Sequence, residues 1–393
     1  KVPNVPPLRF PEFTGEWEKS TLGGIADIVG GGTPETDRQE YWNGEIIWYT
    51  PSEIGKNKYS SDSERHITQE GLDNSSAKLL PSGTILLSTR ATIGESSIAL
   101  NKCTTNQGFQ SLIAQRGIYH EFLYYLIATK KHELVKRACG STFLEISANE
   151  VRKVPVLVPL FKEQYKLSTF LGLIDQRIET QNKIIQHLES LIKGIVVTHF
   201  NQCRNKQVIT ISDLGTAYSV GNLSKEDLSE DGEPCILYGE LFTTYGCVAH
   251  NIISRTNKYE QATLSQINDL LFPASTTVDA VSLIAPTSIQ THGVYVAGDM
   301  FGIHIQPQYD SQYISYLLNF VYNKELAKYA QGSTIIHLHY SDIKRARILV
   351  PLLDEQKKCN QLLATLQKKL AAESLVLQMY QSQKQYLLQQ MFI

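Results

Sequence analysis

The sequence predicts an α+β chain built from two globular modules and two long helices that pair as an antiparallel coiled coil. Three observations carry that reading. The stretch 138–200 matches the stretch 330–392 without a gap, at a constant offset of 192 (330 − 138). Each copy closes on a helical run whose apolar residues alternate in steps of four and three, the spacing of a coiled-coil seam. The segment before each copy is mixed, rich in Gly and Thr, and carries short β-branched runs typical of an α+β module.

Composition bounds the function. With 393 residues, 42% of them apolar, the chain has material for two or three cores at about 100–200 residues per domain. Twenty Tyr and 13 Phe exclude a disordered chain. Thirty-seven basic residues against 39 acidic ones leave a net charge of −2. That excludes a solitary protein that coats nucleic acid by charge, since such domains run strongly basic. Cys103, Cys139, Cys203, Cys235, Cys247 and Cys359 form no C-x-x-C pair, so free thiols in a reducing compartment are expected. No apolar run approaches the ~18–20 residues that span a membrane, and no signal peptide is recognisable. A soluble cytoplasmic protein is expected. Position 1 is Lys rather than Met, so native residues are expected to precede it.

In chain order, the first variable segment has strand-like runs at Ile25–Val29, Thr84–Ser88 and Ser111–Ala114, then a helical stretch at Glu121–Lys136. The first repeat opens on the β-branched run Val154–Pro159. Its proline suits the first turn of a helix, where a missing N–H is harmless, and Glu163 falls where the helix dipole favours negative charge. The following seam is Leu167, Leu171, Ile174, Ile178, Gln181, Ile185, Leu188, Ile192 and Ile195. In the second half the strand Gly302–Gln306 precedes a helical stretch at Gln312–Lys328, and the strand Arg347–Pro351 opens the second repeat. Its seam is Cys359, Leu363, Leu366, Leu370, Glu373, Leu377, Tyr380, Lys384 and Leu387, less regular but apolar at its centre. Gln181 and Glu373 occupy equivalent positions (373 − 181 = 192), and antiparallel pairing about the helix centres predicts that they face each other. Helices of about 40 residues would span about 60 Å and act as a spacer.

Charge is unevenly spread. Residues 1–137 hold 15 basic and 16 acidic side chains, and residues 201–329 hold 7 and 13. The repeats hold 7 and 6, then 8 and 4, so positive charge is concentrated in the second helical segment.

Catalytic signatures are missing. Gly30-Gly31-Gly32 has no acidic partner or helix-forming run for a nucleotide turn, and a loop that approaches a ligand or DNA backbone suits it better. The [Asn/Asp]-Pro-Pro-aromatic loop of amino-methyltransferases does not occur. Asp354-Glu355-Gln356-Lys357 has only a superficial likeness to a nuclease site, because its repeat partner is Lys162-Glu163-Gln164-Tyr165. His337-x-His339 could pair on a strand face, but its repeat positions are Glu145 and Ser147, so a metal is not expected.

Several short motifs, in order, carry a resemblance. They are Gly31-Gly32-Thr33-Pro34, Tyr41-Trp42-x-Gly44-x-Ile46-x-Trp48, the run from Gly83 through Ser88-Thr89-Arg90-Ala91-Thr92 to Gly94, and Thr105-Asn106-Gln107-Gly108-Phe109-Gln110. Both repeats add Gly-Ser-Thr (140–142, 332–334) and Val-Pro-Leu-x-x-Glu-Gln. The second half has Leu237-Tyr238-Gly239-Glu240-Leu241 and Leu271-Phe272-Pro273-Ala274-Ser275, which look like a different class of recognition domain. Over essentially its whole length the chain resembles the specificity subunit of type I restriction-modification systems.

The resemblance implies a target-recognition domain at 1–140, a helical spacer at 141–200, a second recognition domain at 201–332 and a second spacer at 333–393. The two domains would read the halves of a bipartite site in double-stranded DNA. The helices would set the gap and dock two methyltransferase subunits, which bring S-adenosylmethionine. A motor-nuclease subunit using ATP and Mg would join for restriction. This chain would hold no cofactor, no metal and no catalytic residue. Base readout needs Arg for guanine, Asn or Gln for adenine and the Thr methyl for thymine. The candidates are Ser88, Arg90, Thr92, Asn106 and Gln107 in the first half, with Lys56 and Lys58 for phosphates. In the second half they are Tyr238, Thr243, Tyr245, Ser275, Thr276 and Thr277. The alternative is a non-enzymatic coiled-coil scaffold that presents two ligand-binding modules, for example for carbohydrate.

Overall fold

A computed structural model of the chain describes residues 4–90, 92–140, 144–258 and 263–393. Ala91, Ser141 and Thr142, quoted above in motifs, lie outside the described residues. The chain forms two compact units, residues 1–181 with 376–393, and residues 182–375.

In the first unit, β1 (Glu18–Thr21) pairs antiparallel with β10 (Pro155–Val158), Glu18 opposite Val158. The chain therefore enters and leaves the variable segment side by side. Between them lies a five-stranded sheet of order β2 (Ala26–Gly30), β9 (Gln110–Ala114), β6 (Ile85–Leu87), β7 (Ser96–Ala99) and β4 (Tyr59–Ser60). Only β4 against β7 is parallel. A smaller sheet has the order β5 (Arg65–Ile67), β3 (Trp42–Tyr49), β8 (Cys103–Thr105). The residues of β6 and β7 are all buried, which is why these runs read as continuously apolar or small rather than alternating. Helix His120–Thr129 buries Phe122, Leu123, Tyr125, Leu126 and Ile127 in the same core as Ile85 and Leu87.

The first long helix spans Phe161–Gln202 and the second Leu353–Met391. In the first unit Leu167, Leu171 and Ile174 share a core with Leu387, Met391 and Phe392. The two helices run antiparallel here, with Asp175 2.6 Å from the Lys384 ammonium. Phe392 stacks on Phe122 at 5.6 Å and meets Trp17 edge-on at 6.2 Å. Beneath Trp17, the buried Glu163 carboxylate accepts Nε and Nη2 of Arg9, both at 2.7 Å.

In the second unit, β11 (Lys206–Thr210) pairs antiparallel with β24 (Arg347–Pro351). The main sheet has the order β12 (Gly215–Ser219), β22 (Met300–Ile305), β18 (Asp269–Pro273), β20 (Thr287–Ile289) and β15 (Val248–Ala249). Again only the last pair is parallel. The second sheet is β13 (Leu228–Ser229), β16 (Arg255–Thr256), β14 (Glu233–Leu237), β21 (Tyr295–Ala297) and β17 (Thr263–Leu264). Ile192, Val196 and Phe200 pack in one core with Cys359 and Leu363, and Phe200 lies 5.9 Å from the Tyr322 ring. The main sheets of the two variable segments thus share one strand order, whereas the smaller sheets have three strands in the first and five in the second.

Every seam position is buried or half-buried. Gln181 and Leu188 are buried, whereas Leu366, Leu370, Glu373 and Leu377 are half-buried. The sequence expectation of single helices after each sheet needs correction. Helix His120–Thr129 stops at Lys130 and a second begins at Lys131, while Ser311–Phe320 is followed by a separate turn at Asn323–Leu326. Apolar periodicity runs through both breaks, so it does not reveal them. Among the described residues no helix is long and apolar enough to cross a membrane.

Candidate nucleic-acid interface

Strands β2, β3, β6 and β8 all end at one edge of the first unit, where β9 begins, so their loops converge there. The loops are bonded to each other. Thr89 donates its N–H and hydroxyl to the Gly108 carbonyl at 2.8 and 3.0 Å. Gly32 N–H reaches Thr105 O at 2.8 Å, and Asn106 N–H reaches Tyr49 O at 3.0 Å. Trp48 Nε1 donates to Gly32 O at 2.9 Å, and Thr33 donates its hydroxyl to Gln107. The motif segments 32–33, 89–90 and 105–108, far apart in sequence, therefore meet at one corner.

Gly31 and Gly32 are required by the packing of the chain itself. A Cβ at Gly31 would strike the carbonyl oxygens of Thr105 and Asn106, and one at Gly32 would strike Ser76 and Ala77. The close approach is to the chain itself.

Arg90 is exposed on this surface, with Nη2 2.9 Å from Glu145 Oε1. Its backbone also bridges antiparallel to Glu145, and Ile146 N–H bonds the Thr89 carbonyl at 3.2 Å. Thr92 and Gln107 are exposed, and Asn106 is half-buried with its Oδ1 accepting Gly108 N–H at 2.8 Å. Ser88 is fully buried, its hydroxyl 3.0 Å from Arg90 O and 3.1 Å from Thr92 Oγ1. It shapes the loop without facing a groove. Lys56 is exposed. Lys58 turns inward instead, 2.9 Å from Glu121 and 3.1 Å from the Tyr125 hydroxyl, so its charge already has a carboxylate partner. Burial pushes the Glu121 carboxyl up, but bonds from Tyr59 and Lys58 bring it below the usual carboxylate range.

The second unit has the same corner. Ala274 N–H bonds Asp299 O at 2.8 Å, Gly298 N–H bonds Gly221 O at 3.0 Å, and Leu338 N–H bonds Ala274 O at 2.9 Å. Tyr238 is exposed beside Gly298. Thr277 is exposed, Thr276 half-buried and Ser275 buried in β19 (Ser275–Thr276). Thr243 and Tyr245 lie on a π-helical turn, Leu241–Tyr245. There the Thr243 hydroxyl donates to Gly239 O at 3.1 Å, and the Tyr245 hydroxyl accepts Ile253 N–H at 3.2 Å. Burial raises the Tyr245 pKa, which keeps that phenol neutral.

The repeat offset aligns the two corners. β19 pairs antiparallel with β23 (Ile336–His337), placing Ser275 opposite His337. Arg90 stands opposite Glu145, and 337 − 145 is again 192. Arg90 and Ser275 thus hold equivalent places, each facing a residue of the repeated segment. Sequence reasoning missed Glu145 and weighed His337 only as a metal ligand. The signal that could have found them is that one repeat position carries Glu in one copy and His in the other. Gly140 and Gly332 begin this hairpin at φ 128° and 119°, where other residues would be strained. Among the described residues no three His, Cys, Asp or Glu side chains gather to hold a metal.

The family described as "Type I restriction modification DNA specificity domain" matches twice, over residues 14–190 and 204–376. The chain is 38% identical over 180 residues to the MjaIX type I restriction enzyme specificity subunit of Methanocaldococcus jannaschii, covering 45% of this chain and 42% of that protein. It is 30% identical over 175 residues to the EcoR124I/EcoR124II specificity subunit of Escherichia coli, covering 43% of each. The matched stretch thus spans less than half the length of either relative. Among solved structures, the S subunit of a type I system from M. genitalium is similar at a TM-score of 0.55 and 15% identity, over 99% of both chains. A chain from a structure of type I system assembly and conformational transition gives 0.54 at 13% identity, over 97% and 98%. These two share the fold. With two domain matches, one on each half of its internal repeat, the chain belongs to the type I restriction-modification DNA specificity family.

Proposed function

We propose that this chain reads a bipartite sequence in double-stranded DNA, one half-site by each recognition domain, as the non-catalytic specificity subunit of a cytoplasmic restriction-modification complex. The observation that carries this reading is the loop corner, built in the same way in both units from variable loops fixed to a repeated hairpin. In the first unit Arg90 is the guanine reader, Gln107 and the free amide end of Asn106 suit adenine, and Thr92 offers a methyl for thymine. Lys56 is placed for a phosphate. In the second unit Tyr238, Thr243 and Thr277 are the exposed candidates.

The net charge of −2 fits a shared interface, in which partner subunits supply much of the phosphate attraction. Those partners are two methyltransferase subunits with S-adenosylmethionine and, for cleavage, a motor-nuclease subunit with ATP and Mg. The test is co-expression with the cognate methyltransferase subunits, followed by mapping of methylated adenines. A single bipartite motif is expected from the complex and no methylation from the chain alone. Failure to assemble, or methylation without a motif, overturns the proposal.

A further inference from the structure

Each reading corner is completed by a residue that the variable segment does not supply. Arg90 and Glu145 come from segments far apart in sequence, are joined by an isolated backbone bridge, and hold their side chains 2.9 Å apart. Both remain about two-fifths exposed, at 44% and 42%. The pair is therefore positioned by the fold and still open to a ligand. A guanidinium neutralised by a carboxylate is a poor phosphate clamp, because the carboxylate repels the phosphate that the guanidinium attracts. A base edge suits it better. On the major-groove side a guanine–cytosine pair shows two acceptors on guanine, N7 and O6, beside one donor, the cytosine N4 amino group. Arg90 offers forked donors and Glu145 an acceptor next to them, which is the complementary pattern.

We infer that Arg90 and Glu145 together read one guanine–cytosine base pair in the first half-site, Arg90 on guanine and Glu145 on cytosine. His337 is the counterpart of Glu145 at the 192-residue offset, and Ser275, which pairs with it, takes the place of Arg90 in the second domain. Ser275 is buried there, so the exposed imidazole of His337, 6.1 Å from the stacked His339 ring, carries the contact. The repeated segment is then more than a scaffold. Its one hairpin differs between copies at the position that faces the reading loop, and this difference contributes to the asymmetry of the site.

This inference rests on the proposed DNA-reading role, and the test separates the two. The complex with its methyltransferase subunits is assembled with wild-type chain and with the variants Arg90→Ala, Glu145→Ala, Glu145→Gln and His337→Ala. Methylation is then measured on duplexes carrying every base pair at each half-site position. The wild-type complex should require guanine–cytosine at one position of the first half-site. Arg90→Ala and Glu145→Ala should each lose about ten-fold of the discrimination at that same position and none at the second half-site. Glu145→Gln should weaken selection against adenine–thymine, because its amide matches adenine. His337→Ala should relax one position of the second half-site only. Melting curves identify any variant that fails to fold, and Glu145→Gln, nearly the same shape, stands in if Glu145→Ala does. If Arg90→Ala relaxes a position that both Glu145 variants leave intact, the paired reading is overturned while the DNA-reading role stands. If the wild-type complex shows no sequence preference, both are overturned.

Discussion

Gln164 accepts the backbone N–H of Tyr119 at 2.9 Å, at the residue that caps helix His120–Thr129. Gln356, 192 residues later, accepts the N–H of Asp310 at 2.8 Å, at the cap of helix Ser311–Phe320. Each glutamine also donates to a carbonyl just before its own helix, Pro159 O at 2.9 Å and Pro351 O at 2.7 Å. The repeated glutamine is thus a fastening between each long helix and the recognition domain it follows.

Cutting that fastening should cost stability. Both glutamines are buried, so Gln164→Ala leaves the Tyr119 N–H without its partner at a penalty of about 1–3 kcal/mol. Urea unfolding monitored in the first domain should show the loss, and Gln356→Ala should show it in the second. No change in either variant refutes the fastening.

Much of the fold is legible in the sequence. The repeat offset, the strand–proline–helix order and the seam require only apolar periodicity and a self-comparison, because Leu167, Leu171 and Leu363 bury one face of a regular helix. The pairings Arg90–Glu145 and Ser275–His337 are not legible there, since they join positions 55 and 62 residues apart (145 − 90 and 337 − 275) across sheets whose register no local pattern sets. Lys58 misleads for a related reason. A lysine next to a tyrosine in a loop looks solvent-facing until Glu121 and Tyr125 are seen to enclose it.

Glu163 is a second case of a role larger than its helix position suggests. It is 1% exposed and takes two bonds from Arg9. Arg9→Ala should leave a buried carboxylate unpaired and destabilise the first domain by about 3–5 kcal/mol. Calorimetry tests this, and a cost under about 1 kcal/mol would mean that the pair behaves like a surface one.

The cysteines should divide sharply in reactivity. Burial pushes the thiols of Cys103 and Cys247 up to about 12, and those of Cys235 and Cys359 up to about 11. All four stay protonated at pH 8 and should resist iodoacetamide in the native chain. Cys139 is exposed and Cys203 half-buried, so mass spectrometry should find these two labelled.

Acid should loosen the second domain first. Burial lowers the pKa of His199, against the opposing effect of Glu355, and burial also lowers that of His250. A depressed imidazole pKa means that the unfolded chain takes up the proton first. Stability from these residues is present above the ordinary histidine pKa of about 6.5 and falls as pH drops below it. Tm should decline from pH 7.5 to pH 5.5, with a shallower slope in His250→Gln. An unchanged slope would assign the effect elsewhere.

Truncating Phe392 to alanine should cost about 3–5 kcal/mol, since its ring is buried between Phe122 and Trp17. The loss should appear in the first domain's unfolding transition and leave the second domain's midpoint unchanged.

The Trp17–Phe392 contact also fixes an order of events during synthesis. The two rings are 375 positions apart (392 − 17), so the first domain's core stays open while the residues between them are made. At about 5–20 residues per second, Trp17 waits roughly 20–75 s for its partner. The second domain waits less, because Phe200 and Leu363, which share its core, are 163 positions apart (363 − 200). Of the two domains, the one that starts earlier in the sequence is therefore the later to close. On the ribosome its exposed aromatic face is where a chaperone would be needed.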